Sequence, residues 1–231
     1  MHKNDFYLVL ILICLFLPLA MSADLFQIFI NQSKNHPYLM AFLKFGILAT
    51  LGETLGYRIK TGPYPDMRFG FLPRAIVWGF LGMAIAMAFK IFSVGTPYFL
   101  STLGLKDAPL AMAGDFTMLK LFTAFSISVT MNLIFAPVMM TTHTITDVHI
   151  ASNGGKVIGL LKPIEFSYIL SHINWKVQWN FVFKKTIPLF WIPAHTLTFL
   201  LPAHLQVLFA AILSVFLGVI LAVAAAMEKK I

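Results

Sequence analysis

The stretch FTMLKLFTAFSISVTMNLIFAPVMM, residues 116–140, decides how the whole chain is read. Lys120 is the one charged residue in it, and about 20 predominantly apolar helical residues suffice to cross a hydrocarbon layer of ~30 Å. A run of this length and apolarity belongs in a bilayer. Segments 38–57, 71–92, 186–201 and 205–226 share its character. Composition agrees: 59% of the 231 residues are hydrophobic, 11% are charged, and the mean hydropathy is +0.84, which is too apolar for one soluble core. These numbers argue against a soluble enzyme. They argue against a nucleic-acid-binding module too, because the 17 basic residues behind the formal charge of +8 are spread through short connections between apolar runs. The single cysteine, Cys14, allows neither an intramolecular disulfide nor a multi-cysteine metal site.

The predicted fold class is all-α: a polytopic helical membrane bundle of five transmembrane helices, with an N-terminal signal or sixth helix and an interfacial amphipathic helix. Residues 1–23 hold the short apolar run Phe6 to Leu17, preceded by Lys3 and followed by Pro18 and Ala20-Met21-Ser22-Ala23. That pattern reads either as a secretory signal peptide or as an uncleaved transmembrane helix. Residues 36–226 form one membrane domain. The run 97–114, with Lys106, Asp107 and Pro109, reads as a loop dipping into the interface. Between 164 and 185, Tyr168, His172, Trp175, Trp179 and Phe183 fall at helical spacing beside Lys176, Lys184 and Lys185. This predicts a helix lying in the membrane interface, anchored by Trp175, Trp179 and Phe183.

Charge sets the orientation. Alternation puts the connection from Arg58 to Arg74, the segment 141–185 and the C-terminal tail on one side. That side holds Arg58, Lys60, Arg68, Arg74, Lys156, Lys162, Lys176, Lys184, Lys185, Lys229 and Lys230, which with Lys3 makes 12 of the 17 basic residues. Lys34, Lys44, Lys90, Lys106 and Lys120 are the other five. The positive-inside rule then predicts a cytoplasmic C-terminus. The N-terminus is unlike an Arg-rich, Ser-rich transit peptide and Lys229-Lys230-Ile231 is no peroxisomal signal, so a bacterial plasma membrane is the expected location.

Faces rich in small residues predict close helix packing: Gly46, Ala49, Glu53 and Gly56 share a face in the first main span, where Gly52 and Gly56 also make a small-xxx-small pair, Ala75, Gly79, Gly82 and Ala86 repeat the device in the second, and Ala210, Ser214, Gly218 and Ala222 in the last. Glu53 lies about 6 Å inside its span, counting 1.5 Å per residue, where a carboxylate needs a partner or a proton. Arg58 and Arg74 are the candidate partners in a structural ion pair, and a gate or solute-contact charge is the other reading. Lys120, Thr123, Ser126 and Thr130 run down one side of the third span, with Ser128 and Asn132 adjacent. Their hydroxyls either satisfy carbonyls of their own helix or line a wet path. In the fourth span Trp191, His195 and Thr198 share a face, and Pro188 and Pro193 interrupt a short run. A broken helix at membrane depth is tolerated beside protein or water, so His195 and Thr198 are candidates for a solute-facing surface. His143, Asp147 and His149 have the residue types of a metal site, but three ligands without a fourth nearby make a weak signal, and a solvated helix end is the default reading. No serine-histidine-acid pattern, phosphate-cradling glycine loop or CxxC pair is present, so neither catalysis nor a cofactor is expected.

Several short motifs together suggest a family. They are His36-Pro37, Gly46 and Gly52-Glu53, then Gly79 and Gly82, then Met131-Asn132-Leu133-Ile134-Phe135-Ala136-Pro137, and last Trp191, Pro193, Thr198-Phe199, Pro202 and Gln206-Val207. In these residues the chain resembles, over about 36–225, the family of the Mpv-seventeen protein and the peroxisomal membrane protein of twenty-two kilodaltons. Glu53 stands where that family has aspartate. The aspartate of its Asp-Gln stretch is missing before Ala136-Pro137, and Gln206 stands where an arginine is expected. The resemblance implies a small channel-like membrane protein associated with passage of small solutes. The leading expectation is therefore a bundle that passes a small polar solute, with Glu53, Asn132, His195, Thr198 and Gln206 on its path or gate. Membrane lipids are the expected partners, a homo-oligomer is left open, and nucleic acid is not expected. The rivals are a non-catalytic organiser binding lipid or a partner protein through its aromatic-basic interface helix, and a metal-dependent membrane enzyme centred on His143, Asp147 and His149.

Overall fold

The computed structural model describes residues 3–228; Lys229 and Lys230, which entered the charge count above, lie outside them. Among the described residues the regular structure is helical, with no strand. Helices α1 (Lys3–Met21) and α2 (Ala23–Asn35) meet at a sharp bend, 100° between Leu10–Met21 and Ala23–Asn35. Ser22 sits at the bend and caps α2, its hydroxyl accepting from Leu25 N at 3.3 Å. Helix α3 (Pro37–Thr61) begins with proline at its first position, where no N–H is missed. Buried Lys44 of α3 donates to Ser33 of α2 at 2.8 Å and lies over the Phe29 ring, which ties the N-terminal helices to the bundle.

Helix α4 (Phe71–Thr102) passes through Pro97, and α6 (Met118–Ser152) passes through Pro137. Both outrun the segments expected from sequence. Residues 97–102, read above as loop, complete α4, and only the part from Leu103 to Thr117 is a connection, carrying the short α5 (Ala108–Ala111). Residues 141–152, with His143, Asp147 and His149, are the last turns of α6. An interior proline frees one backbone carbonyl, and breaking the helix at membrane depth would free several, so the helix continues.

The expected amphipathic helix over 164–185 is not one helix. It comprises α7 (Phe166–His172), a break at Ile173 and Asn174, then α8 (Trp175–Val177) running directly into a π-helical stretch, Gln178–Trp191, and α9 (Ile192–Leu200). The wider π turn takes up Pro188, with Ile192 N bonding to Ile187 O. The fourth expected span, 186–201, is thus the second half of a longer helical run that enters the bundle from Trp175. Trp175 and Trp179 are exposed, and Phe183 packs against the buried cluster of Ala136, Ile187, Trp191 and Leu217.

Among the described residues, four helices are long and apolar enough to cross a membrane: α3, α4 with its preceding turn, α6, and α10 (Ala203–Glu228) as far as Ile220. They become five if the bent α1–α2 pair is one span. The run 175–200 falls short of that measure, since Lys176, Lys184 and Lys185 occupy its first half. Phe80, Leu133, Ile134, Val138 and Phe216 are 60–65% exposed, an apolar girdle suited to acyl chains. The chain is a multi-pass membrane protein by these features.

The seams are set by glycine. A Cβ at Gly52 would lie 2.9 Å from Val215 Cα, one at Gly218 3.0 Å from Gly52 O, and one at Gly46 2.8 Å from Ala75 O. Helix α3 is thereby clasped between α4 and α10 by backbone contact. At one end of the bundle Gly70, with φ of 74°, and Gly155, with φ of 70°, let the turn before α4 meet the turn after α6 at backbone distance. The core between these seams holds Phe45, Leu48, Trp78, Ile85, Phe89, Ile127, Met131 and Phe199.

Candidate functional site

A cavity of about 250 Å³ lies inside the bundle, walled by α3, α4, α6, the π-helical stretch, α9 and α10. Its lining is largely apolar, with Phe45, Ile85, Met131, Phe135 and Met139 among the walls. Polar groups reach it at two places.

At the end where α3 finishes and α4 starts, Glu53 and His143 line the cavity. Arg74 Nη1 lies 2.9 Å from Glu53 Oε2 and 2.5 Å from Asp147 Oδ1. His143 Nε2 lies 2.7 Å from Glu53 Oε1 and 3.6 Å from Asp147 Oδ1. Arg74 Nε also donates to Phe69 O at 2.8 Å, and its guanidinium covers the Phe69 ring. Trp78 stacks obliquely on His143, centroids 4.4 Å apart, and its buried indole N–H has no hydrogen-bond partner among the described residues. Two carboxylates and one guanidinium leave one negative charge, which a proton on His143 would balance. Arg74 is the partner of Glu53. Arg58 is not: one turn further along α3, it donates to Gly62 O and lies over Tyr64.

Toward the other end of the cavity, beside Phe89, Asn132 and His195 face one another. Asn132 Nδ2 lies 3.1 Å and Oδ1 3.3 Å from His195 Nδ1, so either imidazole tautomer finds a partner. Asn132 Nδ2 also donates to Ser128 O at 2.9 Å, and Ser128 Oγ donates to Ile192 O at 2.7 Å. Trp191 stacks on the His195 ring at 5.0 Å, and Phe89 meets it edge-on at 5.5 Å.

Beyond Phe89 a second, wider cavity of about 940 Å³ opens at the other end of the bundle, lined by parts of α2, α3, α4, α5, α6, α9 and α10. Gln206 lines it and donates to Leu201 O at 3.0 Å. Phe89 lines both cavities, and the Phe199 ring lies against it at 5.1 Å.

The structure thus places Glu53, Asn132 and His195 on the inner cavity and Gln206 on the outer one. Thr198 lines neither; fully buried, it donates to Ala194 O of its own helix at 2.9 Å. Thr123, Ser126 and Thr130 bond to backbone carbonyls of α6 in the same way, so the polar side of the third span is largely self-satisfied. Of the expected metal set, His143 and Asp147 come together, but His149 donates to Gly159 O at 2.9 Å and Glu53 replaces it in a group with ligand atoms within 4.8 Å of one another. The Arg74 guanidinium bonds the same carboxylate oxygens a cation would need. Sequence reasoning missed Phe89 and Trp78, two aromatics among many; Trp78 is marked only by lying next to Gly79, and Phe89 by nothing local.

Set against known protein families, curated proteins and solved structures, the chain matches none.

Proposed function

We propose that this multi-pass membrane protein lets a small solute pass through its helix bundle, as a channel-like, bacterial-type relative of the family it resembles, set in the plasma membrane with its C-terminus in the cytoplasm. The observation that supports this reading is Phe89: one ring forms the shared wall of an inner cavity ending on Glu53 and His143 and an outer cavity open at the opposite end. A structural bundle gains nothing from two voids in line, since each forfeits packing energy. Phe89, wedged against His195 and Phe199, acts as the gate, and the Asn132–His195 pair supplies the polar contact just inside it. The inner cavity is small and mainly apolar. An apolar cavity of about 150 Å³ holds benzene, so the passing solute is compact, carries few polar groups, and sheds most of its water.

The test is efflux of graded small solutes from liposomes holding the purified protein, with Phe89→Ala, Glu53→Gln and His195→Ala beside it. Phe89→Ala is expected to raise efflux of small solutes, and the other two to change it. Folded protein and all three variants giving no efflux would defeat the reading and turn attention to an organiser role for the exposed Trp175 and Trp179.

A further inference from the structure

The outer cavity is electrically one-sided. Lys34 from the end of α2, Lys90 from α4 and Lys120 from the start of α6 line it together with His204, and no carboxylate does. Lys34 and Lys90 make no salt bridge among the described residues, and Lys120 donates to the carbonyl of Gly114 at 2.6 Å. Asp107 and Asp115 sit on the neighbouring connection without reaching the lining. Helix α10 starts at this cavity, with Ala203 and His204 on the wall, and its N-terminus adds partial positive charge.

Topology makes this gathering informative. The positive-inside rule accounts for basic residues at the other end of the bundle. Three of the five it does not account for, Lys34, Lys90 and Lys120, converge on one water-accessible hollow, although they come from helices far apart in sequence. Like charges brought together without a counter-ion raise the energy of the folded state unless something negative visits them.

We propose that this vestibule binds a small organic oxyanion, a carboxylate or phosphate on a compact apolar body, which the lysines hold while the body rests against Phe89. This rests on the passage reading above and names its substrate class. A solute bearing one charged head and an apolar body suits both halves of the path: lysines outside, apolar walls inside.

Three probes of one shape and different charge test it: benzoate, benzamide and benzylammonium, titrated onto the purified protein in neutral detergent with intrinsic fluorescence as readout. A unit charge ~7 Å away in water changes local anion occupancy roughly threefold. Lys34→Gln/Lys90→Gln, two exposed positions that leave the Lys120 bond intact, is therefore expected to weaken benzoate about sevenfold at low salt. Adding Lys120→Gln brings this to about twentyfold, with benzamide unchanged. The difference should shrink to under about twofold near 1 M salt, where the Debye length is ~3 Å. Benzoate binding no tighter than benzamide, or indifferent to the double variant, overturns the proposal. A second arm places the protein in phosphatidylglycerol vesicles: if that headgroup displaces benzoate in a lysine-dependent way, the site belongs to lipid phosphate and the free-solute assignment falls. Lysine-dependent benzoate binding without efflux of any solute would defeat the passage reading and keep the site, whereas efflux of neutral solutes without benzoate binding would do the reverse.

Discussion

Replacing Arg74 by methionine removes the one guanidinium that bridges two carboxylates from different helices. Arg74 Nη1 is 2.9 Å from Glu53 and 2.5 Å from Asp147, and the three side chains are 12%, 19% and 30% exposed. Methionine keeps much of the stem's volume, so the packing change is small and the electrostatic change large. Breaking a buried pair by deleting one partner costs about 3–5 kcal/mol. Asp147 is the most accessible of the three and can recover some hydration, which puts the expected loss at the lower end, about 3 kcal/mol. For a chain of this size each kcal/mol moves the melting temperature by about 2–4 °C, so Arg74→Met should melt about 6–12 °C below the parent, followed by tryptophan fluorescence in detergent. Adding Glu53→Gln removes one of the stranded charges and should restore part of the loss. A double-mutant cycle should give a coupling above about 1 kcal/mol. Were Arg74→Met to lose less than about 1 kcal/mol with no coupling, the group would be behaving as a screened surface pair, and the argument for an ordered charged end to the cavity would be wrong.

Arg74→Ala, with a shorter side chain, should uncover a metal site: Zn²⁺ is expected to raise the melting temperature of that variant through Glu53, His143 and Asp147 and to leave the parent unchanged, and zinc stabilising both equally would contradict it. Gly52→Val should lose about 1–3 kcal/mol by overpacking, since its Cβ meets Val215 Cα at 2.9 Å, whereas Gly95→Ala, with nothing within 4 Å, should gain about 0.5–1 kcal/mol; chemical denaturation compares them, and equal effects would refute the seam. Asn132→Ala leaves His195 Nδ1 without its amide partner and should lose about 1–3 kcal/mol, read by the same unfolding; a neutral result would mean that water replaces the amide in the cavity.

The class of fold was legible because it depends on long-range averages. Apolar runs at 38–57, 71–92, 116–140 and 205–226 each correspond to a long helix, and small residues at helical spacing pointed to seams that the Gly52–Val215 and Gly46–Ala75 contacts now locate. Helix ends were less legible. Proline at 97 reads as a stop when neighbours are ignored, yet in α4 the hydroxyls of Thr96 and Thr130 meet at 2.8 Å across to α6, and the helix runs on. Pro188 likewise suggested a broken span, because nothing in a local pattern announces π-helical widening. At the site, Glu53 and Arg74 were legible as a costly acid near a basic partner. Asp147 and His143 were legible as a pair but not as part of the same group, since they are 73 and 90 residues from the partners they meet. Thr198 misled because a buried hydroxyl and a path-lining hydroxyl look identical until the carbonyl it bonds is known.

The same residues explain why this bundle has both tight seams and a hollow. Gly52, Gly56 and Gly218 let α3 and α10 approach at backbone distance, and all three also line the inner cavity. Small residues on that edge leave the centre unfilled. The other walls carry Phe89, Phe135 and Trp191, from α4, α6 and the π-helical stretch. Larger side chains on α3 would fill the void and push α10 away in one step, so packing and cavity cannot be improved separately. A sequence under pressure only for stability would be expected to close such a space with leucine or alanine. Glycine at the seam, Glu53 between Gly52 and Gly56, and Phe89 between the two cavities are features that the proposed passage would need and that packing alone would not.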